Sequence, residues 1–303
     1  MADIGASILA KLKNKSKETG VSYQQCLQLF FQEEFLRRLS KSQYADNFIL
    51  KGGLFIYTLT NFESRATVDV DFLLRRMTGD LKHMDAVIEE IISMPTGNND
   101  VVILEAKQTQ QISPQRKYPG VSTQIIGRIK NVRVPFDVDV GIGDVIIPKP
   151  FKRTMPPQLD GFEAPEVLTY SLESTVAEKF DAILQRFELT GRMKDFYDIF
   201  YLSQAFDFDG WSLQEAIIQT ITTRGTPYER DSLDRVVALA GDADMQVKWR
   251  YFLKTIKGRE IAFADVITAL DRFLRPVWSA IVDEDELLGM WRAADGWKRN
   301  SQP

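Results

Sequence analysis

The segment LKGGLFIYTLTNFESRATVDVDFLLRR, residues 50–76, places two carboxylates inside an apolar run. Asp69 and Asp71 are separated by one residue, and on a β-strand such residues point to the same face of the sheet. Two carboxylates at close range repel each other unless a cation neutralises them. The pattern therefore predicts a site for a divalent cation such as magnesium, or more simply an exposed pair on a solvated sheet face.

Two neighbouring features favour the cation site. Gly52 and Gly53 precede a short apolar segment with helical character, and glycines let the backbone approach phosphate oxygens at a helix N-terminus. The simpler interpretation is an ordinary glycine turn. Asp137 and Asp139 alternate with apolar residues in VRVPFDVDVGIGD, so a neighbouring strand can supply a third carboxylate. Three acids that hold two metal ions are a common arrangement for nucleotidyl transfer.

Two later segments, VAEKFDAILQR (176–186) and RMKDFYDIF (192–200), predict a pair of helices with conspicuous charges. Lys179 and Arg186 are placed on one side of the first helix, where they could hold a triphosphate. In the second helix Lys194, Asp195 and Asp198 are predicted to face away from an apolar stripe. From spacing alone, two solvated helix faces are the simpler interpretation.

Composition limits the class of protein. The chain has 303 residues, 44% apolar and 26% charged, with a net charge of −4, which is typical of a globular protein and does not indicate nucleic-acid binding by bulk charge. The single cysteine, Cys26, excludes a disulfide framework, and the single histidine, His83, excludes a zinc site built from several histidines. Neither a signal peptide nor an apolar run long enough to cross a bilayer is evident, so we expect a cytoplasmic protein without membrane contact.

The order of predicted elements indicates an α+β fold. We expect N-terminal helices over residues 1–45, with Ser22 as an N-cap, and a core of strands and helices over 46–150 whose sheet is mostly antiparallel towards its end. Residues 144–166 contain five prolines and are predicted to be an irregular connection. The domain over 151–303 is predicted to be helical throughout, including a helix over 285–296.

The blocks FLRRLSKSQYADNFILKGG, RATVDVDFLL, FDVDVGIGDVIIPKP, YSLESTVAEKFDAI and GRMKDFYDIFYL, taken in this order, resemble the AbiEii/AbiGii toxin family, which includes the MenT-type enzymes. The resemblance covers residues 5–260. It implies a polymerase β-like nucleotidyltransferase core followed by a helical bundle, and transfer of a nucleotide from an NTP with Mg²⁺ in a two-metal site. It also implies a tRNA 3′ end as acceptor, inhibition of translation, and a cognate antitoxin as partner.

The resemblance also assigns roles to residues. The implied metal ligands are Asp69, Asp71 and Asp139, with Asp137 as the competitor for the third position. Asp195 is implied to be a base or to orient Lys179, which matches a phosphate-binding lysine. The residues expected to bind the nucleotide are Lys51, Gly52, Gly53, Arg65, Lys179 and Arg186. The usual Gly-Ser of nucleotidyltransferases is Gly-Gly here, which removes one hydroxyl contact to the donor phosphate.

Other acceptors remain open at this stage. A protein such as the antitoxin, or a small molecule, could receive a nucleotidyl or phosphoryl group, and a non-catalytic nucleotide-binding module is a further alternative. An RNA acceptor would need a basic track, for which the candidates are residues 149–153, 254–260 and 297–300. The sequence does not distinguish which NTP or which tRNA is used.

Overall fold

The computed structural model describes residues 3–60, 64–65, 67, 69–112, 120–187, 191–256 and 258–299. The chain forms two compact units. Unit 1 comprises residues 1–143 and 151–169, and unit 2 comprises residues 144–150 and 170–303. This division differs from the expected boundary at 150/151, because residues 151–169 return to the sheet of unit 1.

Unit 1 begins with two helices, α1 (Ile4–Thr19) and α2 (Tyr23–Lys41). Ser22 caps α2 as predicted, and its side chain and that of Gln25 form a reciprocal capping box. Helix α2 is buried along most of its length, including four of its charged residues, Glu33, Glu34, Arg37 and Arg38. Arg37 forms ion pairs with the carboxylates of Glu33 and Glu34, which offsets the cost of burying those charges.

Unit 1 contains a mixed sheet of seven strands and two further helices within the described residues. The strands are β1 (Phe48–Lys51), β2 (Val70–Leu74), β3 (Ile103–Ile112), β4 (Gly120–Ile129), β5 (Val132–Ile142), β6 (Phe151–Thr154) and β7 (Glu166–Thr169), in the spatial order β3-β4-β5-β2-β1-β7-β6. The helices are α3 (Gly52–Leu59) and α4 (Leu81–Ser93). The predicted antiparallel arrangement of β3, β4 and β5 is observed, and the α+β class is confirmed.

Strands β6 and β7 correct the prediction that residues 144–166 are irregular. Strand β7 pairs in parallel with β1, and β6 pairs with β7 at the edge of the sheet. The prolines stand beside these strands rather than inside them, with Pro150 before β6 and Pro165 before β7. The local composition therefore indicates only the proline-rich flanks of these strands. Strand β7 depends on pairing with β1, more than a hundred positions earlier in the chain.

Alternation along β2 and β5 separates an apolar face of the sheet from a polar one. Phe72 and Val138 are fully buried, and Phe72 packs against Phe35 of α2 and Phe48 of β1, with ring centroids 6.1 and 5.4 Å apart. Within each strand, the residues that alternate with these buried positions therefore point to the opposite face. Burial of the apolar face against α2 sets the strand register and thereby positions the polar side chains.

Unit 2 is mainly helical. Its elements are α5 (Leu172–Leu184), α6 (Met193–Ala205), β8 (Phe208–Asp209), α7 (Gly210–Arg224), α8 (Ser232–Ala238), α9 (Ala243–Ile256), α10 (Phe263–Val282), β9 (Gly289–Arg292) and β10 (Gly296–Arg299). Within the described part of the chain, none of the helices is both long and apolar enough to cross a bilayer.

The predicted helix over 285–296 is wrong, because β9 and β10 form a hairpin there that pairs with β8. Trp291 explains the difference. Its side chain is buried, it packs edge-on against Phe273 of α10, and its indole N–H donates to the Ser203 carbonyl oxygen at 2.7 Å. The partners in these contacts are distant from Trp291 in the sequence, and the tertiary packing they provide overrides the local helical pattern.

Candidate active site

A row of polar side chains crosses four strands of the sheet in unit 1. In the strand register, Lys51 of β1 is paired with Asp71 of β2, Asp71 with Asp139 of β5, and Asp139 with Ser122 of β4. Paired residues project to the same face, so these four side chains stand side by side on the face opposite α2. Asp139, rather than Asp137, is the register partner of Asp71.

The row concentrates negative charge. The pKa of the Asp139 carboxyl is raised to about 6, chiefly by burial and to a smaller extent by the carboxylates of Asp71, Asp69 and Asp137, while a hydrogen bond from the Ser122 hydroxyl opposes the change. A carboxyl group whose ionisation is resisted by three neighbouring acids is a site where a cation is favoured.

Asp69 is placed differently from its prediction. Strand β2 begins at Val70, so Asp69 lies just before the strand rather than on it. Within the described residues, no three acidic, histidine or cysteine side chains already converge closely enough to hold one metal ion. Of the three predicted metal ligands, the strand register brings together Asp71 and Asp139.

The glycine pair forms the first turn of α3, beside Asp71. Gly52 has a φ angle of +69°, and a Cβ atom on it would overlap the Asp71 carboxylate. A Cβ on Gly53 would lie 2.7 Å from the hydroxyl oxygen of Thr67 and 3.5 Å from a guanidinium nitrogen of Arg65. Both glycines therefore permit close approach, and the backbone N–H groups at the start of α3 lie next to the acid row and the Arg65 guanidinium.

Lys51 extends over the same surface. Its ammonium nitrogen lies 3.7 Å from the position that a Cβ of Gly141 would occupy, so the side chain passes from β1 over β2 to β5. The cation of Lys51 is thus held close to the carboxylates of Asp71 and Asp139.

A second charged cluster lies in unit 2, between α5 and α6. Lys179 is 9% exposed, and its ammonium nitrogen lies 2.6 Å from a carboxylate oxygen of Asp198 and 3.5 Å from Oδ1 of Asp195. The prediction that Asp195 and Asp198 face away from the core is wrong, since both are almost fully buried. They turn towards α5 because the buried lysine compensates their charge.

One oxygen of Asp195 is available as a hydrogen-bond acceptor. Its Oδ2 accepts from the Arg192 guanidinium at 2.6 Å, whereas its Oδ1 is buried and accepts no hydrogen bond from any part of the chain that the structure describes. The ion pair with Lys179 is long, at 3.5 Å, so it does not satisfy this oxygen fully. A buried carboxylate oxygen of this kind can accept a proton from a bound hydroxyl group.

The prediction that Arg186 shares a helix face with Lys179 is wrong. Helix α5 ends at Leu184, and Arg186 follows in an exposed turn. The arginine that α5 contacts is Arg224 of α7, which forms ion pairs with Glu178 and Asp181 at 3.0 Å each.

Sequence reasoning missed Arg224 because no local pattern connects α7 to α5. It also missed Asp198 as the partner of Lys179. A signal for Asp198 was present, since Asp195 and Asp198 are three residues apart and so share one side of a helix.

Comparisons with known proteins agree with this architecture. Residues 34–276 match the family described as nucleotidyl transferase AbiEii toxin, type IV TA system. The crystal structure of JHP933 from Helicobacter pylori is similar with a TM-score of 0.50 and 12% sequence identity, covering 87% of this chain and 95% of that one.

A putative nucleotidyltransferase from H. pylori has a TM-score of 0.47 and 12% identity, covering 88% of this chain and 100% of its own. At such identities the similarity concerns the fold alone. The search of curated proteins found no match.

Proposed function

Because the chain belongs to the AbiEii family of nucleotidyltransferase toxins from type IV toxin–antitoxin systems, we propose that it transfers a nucleotide from an NTP to an RNA acceptor. The family predicted from the sequence is confirmed. The tRNA 3′ end as acceptor, the resulting inhibition of translation, and a cognate antitoxin as binding partner are parts of the proposal.

The observation that carries the proposal is the register pairing of Asp71 with Asp139 beside the N-terminus of α3. Nucleotidyl transfer needs carboxylates that hold a divalent cation next to backbone N–H groups that donate hydrogen bonds to phosphate oxygens. Gly52 is the residue that brings these two elements together, since its missing side chain leaves space for the Asp71 carboxylate.

The donor set suits magnesium. Carboxylate oxygens are the ligands that Mg²⁺ prefers, and the pKa of Asp139 is raised first by burial and then by neighbouring acids, whose repulsion a cation would relieve. Asp71 and Asp139 would hold the ion, with Asp69 as the third carboxylate. When bound, Mg²⁺ neutralises the triphosphate and lowers the pKa of the acceptor hydroxyl.

Backbone and side-chain groups of the chain itself are proposed to bind the phosphates. The N–H groups at Gly52 and Gly53 can donate to phosphate oxygens, and the cations of Lys51 and Arg65 can stabilise the negative charge that develops on the leaving pyrophosphate.

In unit 2, we propose that Lys179 binds phosphate and that Asp195 Oδ1 accepts a proton. A lysine ammonium has three donors, so its contacts with Asp195 and Asp198 leave one for a ligand.

The direct test is incubation of the purified protein with radiolabelled NTPs, Mg²⁺ and total RNA, followed by nuclease or protease digestion. We expect the label to be sensitive to nuclease, and we expect Asp71→Asn and Asp139→Asn to lower the rate by about a thousandfold, or ~4 kcal/mol of barrier. Asp137→Asn is the matched control on the same face of β5.

Two results would contradict the proposal. Label that is removed only by protease would indicate a protein acceptor such as the antitoxin, and label on neither polymer would favour a small-molecule acceptor. If Asp139→Asn keeps the wild-type rate, the proposed metal ligands are wrong.

A further inference from the structure

The outer surface of α9 combines an exposed aromatic ring with unpaired cations. Tyr251 is 74% exposed, more than any other large apolar or aromatic side chain in the described part of the chain. Arg250, Lys254 and Arg259 are also exposed, and no carboxylate among the described residues forms an ion pair with them.

Helical spacing brings these side chains together. Arg250 and Lys254 are four residues apart, and Tyr251 lies between them in sequence, three residues before Lys254, so all three occupy one side of α9. Val247, which is 54% exposed, is four residues before Tyr251 and extends the apolar part. Lys248, by contrast, forms an ion pair with Asp244 at 2.7 Å and is half-buried.

An aromatic cluster connects this surface to the helix that carries Asp195. The ring of Phe252, the residue after Tyr251, packs against Tyr197 of α6 with centroids 5.7 Å apart. Tyr197 in turn stacks on Tyr201 at 6.3 Å with the ring planes within 25°. Tyr197 is two residues after Asp195, so it lies on a different side of α6 from Asp195, and the aromatic contacts hold α9 against that side of the helix.

The other two basic tracks that the sequence suggested are more fully engaged within the chain. In the track over 149–153, Lys152 pairs with Glu166 at 2.9 Å, and Arg153 lies over the ring of Phe151. In the tail, Lys298 pairs with Asp295, and residue 300 lies outside the described residues.

In the α9 track, residue 257 also lies outside the described residues. Lys254 and Arg259, on either side of it, are exposed and form no ion pair with any carboxylate among the described residues.

We propose that Arg250, Tyr251 and Lys254 bind the single-stranded end of the acceptor RNA. The two cations contact phosphates, and an unpaired base stacks on the Tyr251 ring. A convex helix surface with one exposed ring suits an unpaired base, because the bases of a duplex are already stacked on each other. Stacking tolerates every base, so this surface recognises single-stranded RNA with little sequence preference.

The inference rests on the proposed function, since it identifies where the RNA acceptor binds. It is tested without NTP, by fluorescence anisotropy of a labelled single-stranded RNA oligonucleotide at several salt concentrations. We expect Tyr251→Ala to weaken binding by about tenfold and Tyr251→Phe to retain it, because the phenyl ring still stacks. The double variant Arg250→Glu with Lys254→Glu should also show a weaker salt dependence. The negative slope of log K against log salt should become less steep by at least about 1.4, or 0.7 for each lost phosphate contact.

The matched control is Lys11→Glu with Lys13→Glu, which changes the net charge equally at two exposed α1 lysines that form no ion pair in the described structure. Wild-type affinity in the Tyr251→Ala and charge-reversal variants, or equal weakening in the control, would overturn the inference. So would a finding that these variants lose binding to the antitoxin protein but not to RNA.

Asp71→Asn separates the two proposals, because it should bind RNA normally whatever its transfer rate. If wild-type protein binds RNA through α9 but transfers no label, the proposed function fails alone. If it transfers label to RNA while the α9 variants bind normally, the surface assignment fails alone.

Discussion

Replacing Gly52 with alanine tests whether the start of α3 shapes the acid row. Gly52 has a φ angle of +69°, and an added Cβ would overlap the carboxylate of Asp71. Placing an L-residue in the left-handed conformation costs about 1–2 kcal/mol, so the free energy of unfolding should fall by this amount. A larger effect is expected on function, because the Asp71 side chain must turn away from Asp139. Misplacement of a reacting group by about 1 Å can lower a rate by about a hundredfold.

Gly97→Ala is the matched control. Gly97 has a φ angle of +81°, and a Cβ on it would meet no atom within 4 Å, so this variant carries the backbone strain without the overlap. Both glycines belong to unit 1. Gly52→Ala should therefore lose at least as much stability as Gly97→Ala, and only Gly52→Ala should lose function.

Three measurements on both variants decide the question. Urea unfolding gives the stability, isothermal titration with Mn²⁺ gives divalent-cation affinity, and transfer of label from radioactive NTP gives activity. We expect Gly52→Ala to retain a cooperative unfolding transition and to lose about a hundredfold in transfer rate relative to Gly97→Ala. Equal cation affinity and equal transfer in the two variants would refute the argument that Gly52 is needed for the Asp71 carboxylate.

Asp139→Asn is expected to stabilise the metal-free protein at neutral pH by about 1–2 kcal/mol, a value reduced for the partial exposure of the side chain. The Asp139 carboxyl has its pKa raised from 3.8 to about 6, so its contribution to stability is full below pH 3.8 and is lost as the pH rises through about 6. Urea unfolding across this range should show the gain disappearing below pH 3.8, and an equal gain at all pH values would contradict the explanation. Lys179→Met should cost about 3–5 kcal/mol, because the carboxylates of Asp195 and Asp198 stay buried without their cation. Adding Asp198→Asn to this variant should recover part of the loss, and an unchanged unfolding curve for Lys179→Met would show that the pair is not stabilising.

Much of the fold could be predicted from short-range patterns. The N-cap at Ser22 and the alternation along β5 are local features, because a helix terminus and a strand face depend on residues within a few positions. The family resemblance also rested on such short motifs, and the match over residues 34–276 confirms it. The strands over 151–169 and the hairpin at Trp291 could not be predicted in this way, since each is stabilised by partners distant in the chain.

For the candidate site, the sequence by itself determined which side chains share a strand face, so alternation identified the pairs Asp69/Asp71 and Asp137/Asp139, and the family resemblance favoured Asp139 over Asp137. Only the tertiary structure decided that Asp71 and Asp139 are direct neighbours, that Asp69 lies before the strand, and that Lys51 reaches across to Gly141. The physical reason is the separation along the chain of the residues that interact. The direction of a side chain along a strand follows from covalent geometry, whereas neighbours across strands and the burial of charged groups depend on how distant segments pack.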